Sequence, residues 1–160
     1  MINDVKIGNA GKKGKGVFAL KNFKKGGLVF RSLRGRIIYK KDIPKLTIDE
    51  KTHLNEIDYN TWEVMRSPGR FVNHSCDPNT LLKGMTFYAI KNIKSGEEIT
   101  TEYRINAFDK NRWQCYCGSK NCKKWLVSDF FDIGPKLQKK YFPYAPKFIQ
   151  KEYAKRNPNY

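Results

Sequence analysis

The stretch "RFVNHSCDPN" (Arg70–Asn79) sets the first structural question of the chain. It places His74 two residues before Cys76, in a segment whose Asn, Ser, Asp and Pro residues disfavour a regular helix or a central strand. Three further cysteines follow almost forty residues later, in "CYCGSKNC" (115–122). We therefore asked whether the two stretches meet in the fold, and what they would build.

The cysteine spacing predicts a metal site. Cys115, Cys117 and Cys122 form a C-x-C-x4-C pattern, and three thiols cannot all be paired among themselves. A tetrahedral zinc site needs four ligands, and Cys76 is the remaining cysteine. With four protein thiolates such a site has no open position, so one zinc ion here would be structural. Either histidine is an alternative fourth ligand, and unrelated reduced cysteines are the alternative interpretation.

The composition indicates one globular domain. The chain has 160 residues, 39% of them hydrophobic and 14% aromatic, which excludes a disordered chain. No apolar run approaches the ~20 residues of a membrane helix, and the N-terminus does not resemble a signal peptide. We therefore expect a soluble intracellular protein with reduced cysteines and no membrane contact, in the cytoplasm or nucleoid of a prokaryote or the nucleus of a eukaryote. The oligomeric state stays open.

The net charge of +17 is concentrated at the two ends. Residues 1–41 carry twelve Lys and Arg against one Asp, and residues 135–160 carry seven against one Glu, whereas the middle is balanced. A solubilising surface is one interpretation. The other is an electrostatic footprint for nonspecific nucleic-acid contact through the basic ends.

Short apolar runs predict a β-rich fold of small sheets, that is, a mostly β (α+β) class. The predicted strands are "GVFAL" (16–20), "LVFRSL" (28–33), "RIIYKK" (36–41), a hairpin "TLLKGMTFYAI" (80–90) turning at Lys83-Gly84, and a final run "EEITTEY" (97–103). Residues 44–60 are either one helical turn or a loop. Beyond Pro135, "GPKLQKKYF" and "APKFIQKEYAKR" predict helices whose aromatic residues pack on the body of the protein.

Taken in order, "GKGVFA", "RFVNHSCDPN", "GEEITTEY" and "CYCGSKNC" resemble the SET-domain protein lysine methyltransferases, in particular their short free-standing members with a post-SET zinc loop. The resemblance covers about residues 5–130. It implies a SET β-fold of small sheets with a C-terminal pseudoknot. It further implies a SET domain at 5–106 with a variable insert at 42–66, a post-SET zinc loop at 107–130, and a basic helical appendage at 131–160.

The resemblance also implies an activity: methyl transfer from S-adenosylmethionine to a lysine side-chain amine in a protein substrate, with S-adenosylhomocysteine as product. In the family, the Gly-x-Gly segment and the Asn-His pair hold the cofactor, and an aromatic residue after the last zinc ligand covers it. The tyrosine that ends the "GEEITTEY" motif is catalytic, and a second tyrosine lines the lysine channel. The matching cofactor positions are Gly14, Lys15, Gly16, Arg70, Phe71, Asn73, His74, Tyr103 and Trp125, and the matching catalytic positions are Tyr103 and Tyr59, with Trp62 as an alternative to Tyr59.

Three positions depart from the family pattern. Thr101 stands where an aromatic residue is usual, Glu102 where Asp is usual, and Lys124 where Gly is frequent. Thr101 leaves more room than Phe or Tyr, which favours higher methylation states.

The acidic residues of segment 42–66 predict how substrate is recognised. They outnumber the basic residues six to three, so the segment would attract a basic stretch around the target lysine. Histone-like, ribosomal and other DNA-associated proteins fit this description.

Two alternatives to a methyltransferase remain. One is a catalytically inactive SET-like module that binds peptide or DNA and is stapled by zinc. The other is a basic zinc-stapled nucleic-acid-binding protein that does not use the cofactor.

Overall fold

A computed structural model describes residues 2–158 of the chain. These residues form two compact units. The first comprises the described residues up to Arg34, then Arg66–Glu102 and Arg112–Leu126; the second comprises Gly35–Met65, Tyr103–Asn111 and the described residues from Val127 onward.

The described part of the chain contains twelve strands, most of them four or five residues long. They are β1 (Val5–Asn9), β2 (Lys15–Ala19), β3 (Leu28–Arg31), β4 (Arg36–Tyr39), β5 (Leu54–Asp58), β6 (Thr61–Val64), β7 (Asn73–His74), β8 (Thr80–Lys83), β9 (Thr86–Ala89), β10 (Glu98–Thr101), β11 (Phe108–Gln114) and β12 (Trp125–Asp129). The α-helices are α1 (Ile48–Lys51), α2 (Pro135–Tyr141) and α3 (Lys147–Arg156). The predicted β-rich class with small sheets is confirmed.

The first unit contains two sheets, with strand orders β1-β2-β10-β7 and β3-β9-β8. The predicted hairpin forms as β8 and β9, and Gly84 in its turn has a φ of 60°. Phe30 and Phe87 are cross-strand partners in β3 and β9, and their buried rings stack at 4.7 Å. Such aromatic pairs bury a large area and hold the register of short strands.

A parallel pairing joins the two central motifs of the sequence. β10 pairs with β7, so that Thr100 lies opposite Asn73 and Thr101 opposite His74. Asn79 fastens the same loop, because its Oδ1 accepts a hydrogen bond from Thr100 N (2.9 Å) and its Nδ2 donates to Glu98 O (2.8 Å). The "NHSCDPN" loop is therefore attached to the "EEITTEY" strand by backbone and side chain.

The second unit contains a three-stranded sheet of order β4-β6-β5. The uncertain segment 44–60 includes one helical turn, α1, whose first residues form a capping box: Glu50 N donates to Thr47 Oγ1, and Thr47 N donates to Glu50 Oε2. Strands β5 and β6 were not predicted. Ile38, Leu46 and Trp62 form the core behind this sheet, so Trp62 is a packing residue.

The C-terminal helices pack through aromatic residues, as predicted. Tyr141, Phe148 and Tyr153 are buried, and the Tyr153 ring lies 6.1 Å from that of Phe130. The preceding segment, predicted as a zinc loop, also contains β11 and β12, which pair as a two-stranded sheet. None of the helices in residues 2–158 has the length and apolar character required to cross a membrane.

Candidate functional site

The two glycines of the "GKG" segment are required for two different reasons. Gly14 has a φ of 76°, a left-handed conformation that disfavours side chains, and nothing would touch a Cβ there. At Gly16 the space is filled, since a Cβ would lie 2.8 Å from Ala10 Cβ and 2.9 Å from Glu98 Oε1. Gly14 therefore leaves exposed main-chain groups that a ligand can approach closely, whereas Gly16 is buried and allows its neighbours to pack closely against the main chain.

Asn73 links this segment to strand β10. Its side-chain Nδ2 donates hydrogen bonds to Lys15 O (2.9 Å) and to Glu98 Oε1 (2.8 Å). The other oxygen of Glu98 forms an ion pair with Lys13. An amide nitrogen has two hydrogens, and both are used here, so the acceptor Oδ1 is left for a ligand.

Two cationic side chains lie over the ring of Phe71, beside this network. Lys15 Nζ lies 5.2 Å and the Arg70 guanidinium carbon 5.3 Å from the centroid of its ring. Both are within cation–π range. The structure therefore brings six of the predicted cofactor residues into one linked set: Gly14, Lys15, Gly16, Arg70, Phe71 and Asn73.

The imidazole of His74 lies in a buried polar cluster. Its Nδ1 is 3.3 Å from Glu102 Oε1, its Nε2 is 3.4 Å from Cys76 Sγ, and its ring meets the edge of Trp113 at 4.8 Å. Both His74 and Glu102 are almost completely buried. Both ring nitrogens of the imidazole therefore face groups of the protein itself. A role of His74 in cofactor binding stays a prediction, and the backbone of His74 would have to perform it.

The four cysteines converge in the first unit, and their Sγ atoms all lie within 4.8 Å of one another. Cys76 Sγ and Cys115 Sγ are 3.9 Å apart. Zn–S bonds of about 2.3 Å in a tetrahedron require sulfur atoms roughly 3.8 Å apart, so the cluster fits zinc. Cys117 Sγ also accepts from Cys76 N at 3.5 Å and lies 3.2 Å from Ser119 Oγ, as expected of a thiolate ligand with supporting donors.

Burial opposes ionisation of two of these thiols. It raises the pKa of Cys76 to about 11 and also raises the pKa of Cys115. Burial acts on Cys117 as well, but hydrogen bonds from Cys76 N and Ser119 prevail and lower its pKa to about 6. A metal cation favours the thiolate form of thiols whose ionisation burial opposes, so this donor set is suited to a metal ion.

Trp125, the predicted cofactor cover, is the first residue of β12, and its side chain is 57% exposed. It follows the cysteine loop directly, where Cys115 N donates to Lys124 O at 2.6 Å. An exposed indole is accessible to a ligand. Its contact with cofactor stays a prediction.

In the second unit, Tyr103 begins a 3-10 helix that ends at Asn106. Ile105 is fully buried, and Asn106 donates a side-chain hydrogen bond to Asn55 of β5, so the helix is anchored at both points. The Tyr103 side chain itself is 44% exposed. The predicted catalytic phenol is thus presented by a fixed backbone.

Tyr59 lies in an aromatic cluster against α3. Its ring meets Phe148 edge-on at 5.2 Å and Phe108 at 6.0 Å, and its hydroxyl is 3.4 Å from both Phe148 O and Glu152 Oε2. Desolvation and the Glu152 carboxylate raise the pKa of Tyr59. The involvement of α3 was not predicted, because its aromatic residues looked like ordinary packing residues.

The acidic segment 42–66 uses most of its carboxylates internally. Glu50 forms an ion pair with Arg36, and Glu63 is buried and accepts a hydrogen bond from Gly35 N. Glu56 accepts from Phe108 N at 2.9 Å, and burial together with nearby Asp109 and Asp129 raises its pKa to about 7. The prediction of a substrate-attracting surface therefore rests on the two exposed carboxylates, Asp49 and Asp58.

Sequence reasoning missed Glu98 and Asn79 of this site, and it noted Glu102 only as a departure from the family pattern, without its contact with His74. Carboxylates and amides in a short strand or turn resemble solvent-exposed residues in a sequence. Their hydrogen bonds become visible only once the parallel pairing of β10 with β7 is known.

Comparison with known proteins identifies the fold. Residues 14–104, more than half of the chain, match the SET domain family. A variant-silencing SET domain-containing protein of Plasmodium falciparum is 29% identical over 145 residues, which is 78% of this chain and 6% of that protein. A histone-lysine N-methyltransferase, H3 lysine-36 specific, of Debaryomyces hansenii is 28% identical over 131 residues, 71% of this chain and 18% of that protein.

Among solved structures, the methyltransferase domain of human histone-lysine N-methyltransferase SETMAR is similar, with a TM-score of 0.62 and 24% identity, covering 78% of this chain and 58% of that one. That likeness shows a shared fold. The chain spans less than a fifth of the two relatives above. The match over residues 14–104 agrees with the order of the sequence motifs, and this chain belongs to the SET domain family.

Proposed function

We propose that this chain transfers the methyl group of S-adenosylmethionine to the side-chain amine of a lysine in a protein substrate. The proposal is supported by membership of the SET domain family and by similarity to proteins named histone-lysine N-methyltransferases. The observation that carries it is the Asn73 side chain, which joins the glycine segment to Glu98 and leaves one acceptor oxygen for a ligand.

The residues of the first unit would hold the cofactor. Exposed main-chain groups at Gly14 suit close contact with a ligand, and Asn73 Oδ1 is an acceptor suited to its ammonium group. The cofactor would pack against the face of the Phe71 ring, and the Trp125 indole would cover it. When bound, S-adenosylmethionine supplies a methyl group already activated on a sulfonium sulfur.

The chain's task is then alignment and deprotonation. A free lysine has a pKa of ~10.4 and must lose its proton before its nitrogen can attack. An aromatic channel and a neighbouring positive charge both disfavour the ammonium form. In this proposal the proton passes to water before the site closes, the Tyr103 hydroxyl orients the amine, and Tyr59 lines the channel. One N–C bond forms as one C–S bond breaks, which leaves S-adenosylhomocysteine.

The number of methyl groups follows from the space near the amine. Thr101 occupies the position of the usual aromatic residue, and its hydroxyl is buried with no hydrogen-bond partner among the described residues. A small side chain leaves room for an amine that already carries methyl groups, so we propose di- or trimethylation.

Zinc would be structural. In the proposed segmentation, a post-SET loop at 107–130 is fastened by one ion to Cys76, two residues after His74. The SET domain would occupy 5–106 and a basic appendage 131–160. The metal would hold the loop in place, and no chemical step depends on it.

The proposed substrates are proteins with a basic segment around the target lysine, such as histone-like, ribosomal or DNA-associated proteins. To test the function, the protein is incubated with methyl-labelled S-adenosylmethionine and host-cell lysate, and labelled proteins are analysed by mass spectrometry. Label on lysine ε-nitrogen supports the proposal. Calorimetric binding of S-adenosylmethionine without any transfer would instead indicate an inactive SET-like module.

A further inference from the structure

The exposed lysines of α2 and α3 have no part in the proposed reaction. Lys147, Lys151 and Lys155 are spaced four apart on α3, and all three are exposed. Four helical residues rise about 6 Å, so the three side chains form one row along the helix. Exposed Lys136 and Lys139 lie on α2. We refer to these five residues as the C-terminal lysines.

The charge of the C-terminal lysines is largely uncompensated. Within residues 2–158, no carboxylate forms an ion pair with any of them except Glu152, whose Oε2 is 3.7 Å from Lys155 Nζ. Glu152 is already engaged by Arg156 Nε at 2.9 Å. Some basic residues nearer the N-terminus do form ion pairs: Lys13 with Glu98, Lys21 with Asp4, and Arg36 with Glu50.

The opposite side of α3 determines what kind of polyanion fits. Phe148, Ile149 and Tyr153 are buried in the protein, so the helix has no apolar side to insert into a lipid surface. A row of exposed cations with little compensating charge and no exposed apolar face matches a regularly charged phosphate backbone. We propose that the C-terminal lysines bind the phosphate backbone of nucleic acid.

This surface has a consequence for substrate choice, which rests on the proposed function. The chain carries a net charge of +17, so a strongly basic protein substrate experiences a net electrostatic repulsion. A nucleic acid attracts both partners and holds them close together, which raises their effective concentration. The substrates are therefore basic proteins that are themselves bound to nucleic acid.

The binding test uses a short fluorescent DNA duplex of mixed sequence, titrated at several salt concentrations. Each lysine–phosphate contact contributes about 0.9 to the slope of log K against log salt, so Lys147→Gln/Lys151→Gln/Lys155→Gln should lower its magnitude by roughly 2–3. The matched control, Lys24→Gln/Lys25→Gln/Lys83→Gln, removes the same charge from exposed positions and should change the slope by less than half as much. Equal loss in both triples, or tighter binding to phosphatidylserine vesicles than to DNA, would overturn the proposal.

The activity test compares a DNA-bound basic protein with a short peptide in the absence of DNA. DNA should lower the KM of the wild-type enzyme for the basic protein substrate, and it should not lower the KM of the Lys147→Gln/Lys151→Gln/Lys155→Gln variant. Both enzymes should methylate the peptide equally. DNA stimulation that survives in the variant would refute the tethering role. If neither enzyme transfers methyl groups at all, the proposed function fails, and the salt slopes still decide whether the surface binds nucleic acid.

Discussion

Asn73 and Glu98 are joined by a hydrogen bond of 2.8 Å from the side-chain amide to the carboxylate. The bond connects the "NHSC" loop to strand β10, and the same amide nitrogen reaches Lys15 O at 2.9 Å. It therefore fixes which atom of Asn73 is presented to a ligand. In the proposed function, Glu98 is a positioning residue that acts through Asn73.

Replacing Glu98 should weaken cofactor binding. Glu98→Met removes the acceptor of Asn73 and the partner of Lys13, and hydrogen bonds to charged groups contribute about 1.5–3 kcal/mol, so we expect the Kd for S-adenosylmethionine to rise at least tenfold. Glu98→Gln keeps an acceptor and should change Kd much less. Calorimetry measures both, with the exposed neighbour variant Glu97→Gln as control. Unchanged affinity in Glu98→Met would rule out this positioning role.

Gly16 should not accept even a methyl group. Gly16→Ala would press a Cβ against Ala10 Cβ and Glu98 Oε1, which forces β2 or the Asn73 network to shift. We expect a lower melting temperature and weaker cofactor binding. Gly134→Ala is the matched control, because a Cβ there meets nothing within 4 Å. Equal behaviour of the two variants would contradict the close packing at Gly16.

The cysteine cluster should bind one metal ion per chain. Elemental analysis of purified protein should give one zinc, and Cys122→Ser should lose it together with several degrees of melting temperature. Ser119→Ala removes only a hydroxyl that lies 3.2 Å from Cys117 Sγ. This variant should retain the ion. Full zinc content in Cys122→Ser would exclude it as a ligand.

Glu56 should make folding stability depend on pH. Its folded pKa is raised to about 7 by burial and by Asp109 and Asp129, so the folded state binds more protons than the unfolded state between about pH 4.5 and 7. The stability contributed by the protonated form is complete below pH 4.5 and is lost as pH rises through 7. Glu56→Gln, whose amide oxygen can still accept from Phe108 N, should therefore stabilise the protein at pH 8 by about 1–2 kcal/mol, after allowance for solvent screening, and should not at pH 4.

Urea denaturation at the two pH values measures this difference, with exposed Asp58→Asn as control. A gain of the same size at pH 4 would mean that the effect of the substitution is not the removal of a charge.

The parts of the fold that are marked by local turn and capping signals were predictable. The β8–β9 hairpin has a glycine at its turn, α1 has a Thr-x-x-Glu capping box, and α2 begins with a proline. These signals are local, so the sequence alone contains them. The cysteine cluster was predictable for a different reason, because four thiols at this spacing have few other uses.

Other elements leave no such signal. β11 is mostly exposed and polar, and it has a partner only because β12 follows the cysteine loop. β5 and β6 contain Glu56 and Glu63, whose carboxylates turn inward to meet backbone N–H groups. An inward-facing carboxylate is indistinguishable from a solvent-exposed one until the residue that donates to it is known, and here the donors are distant in sequence.

In the proposed function this chain is a methyltransferase, and Tyr103 acts on the reacting groups. The most direct test measures methyl transfer and S-adenosylmethionine affinity in Tyr103→Phe. We expect turnover to fall about a hundredfold or more, since the hydroxyl that orients the amine is lost, while the cofactor Kd changes little. Full turnover in Tyr103→Phe would contradict the account.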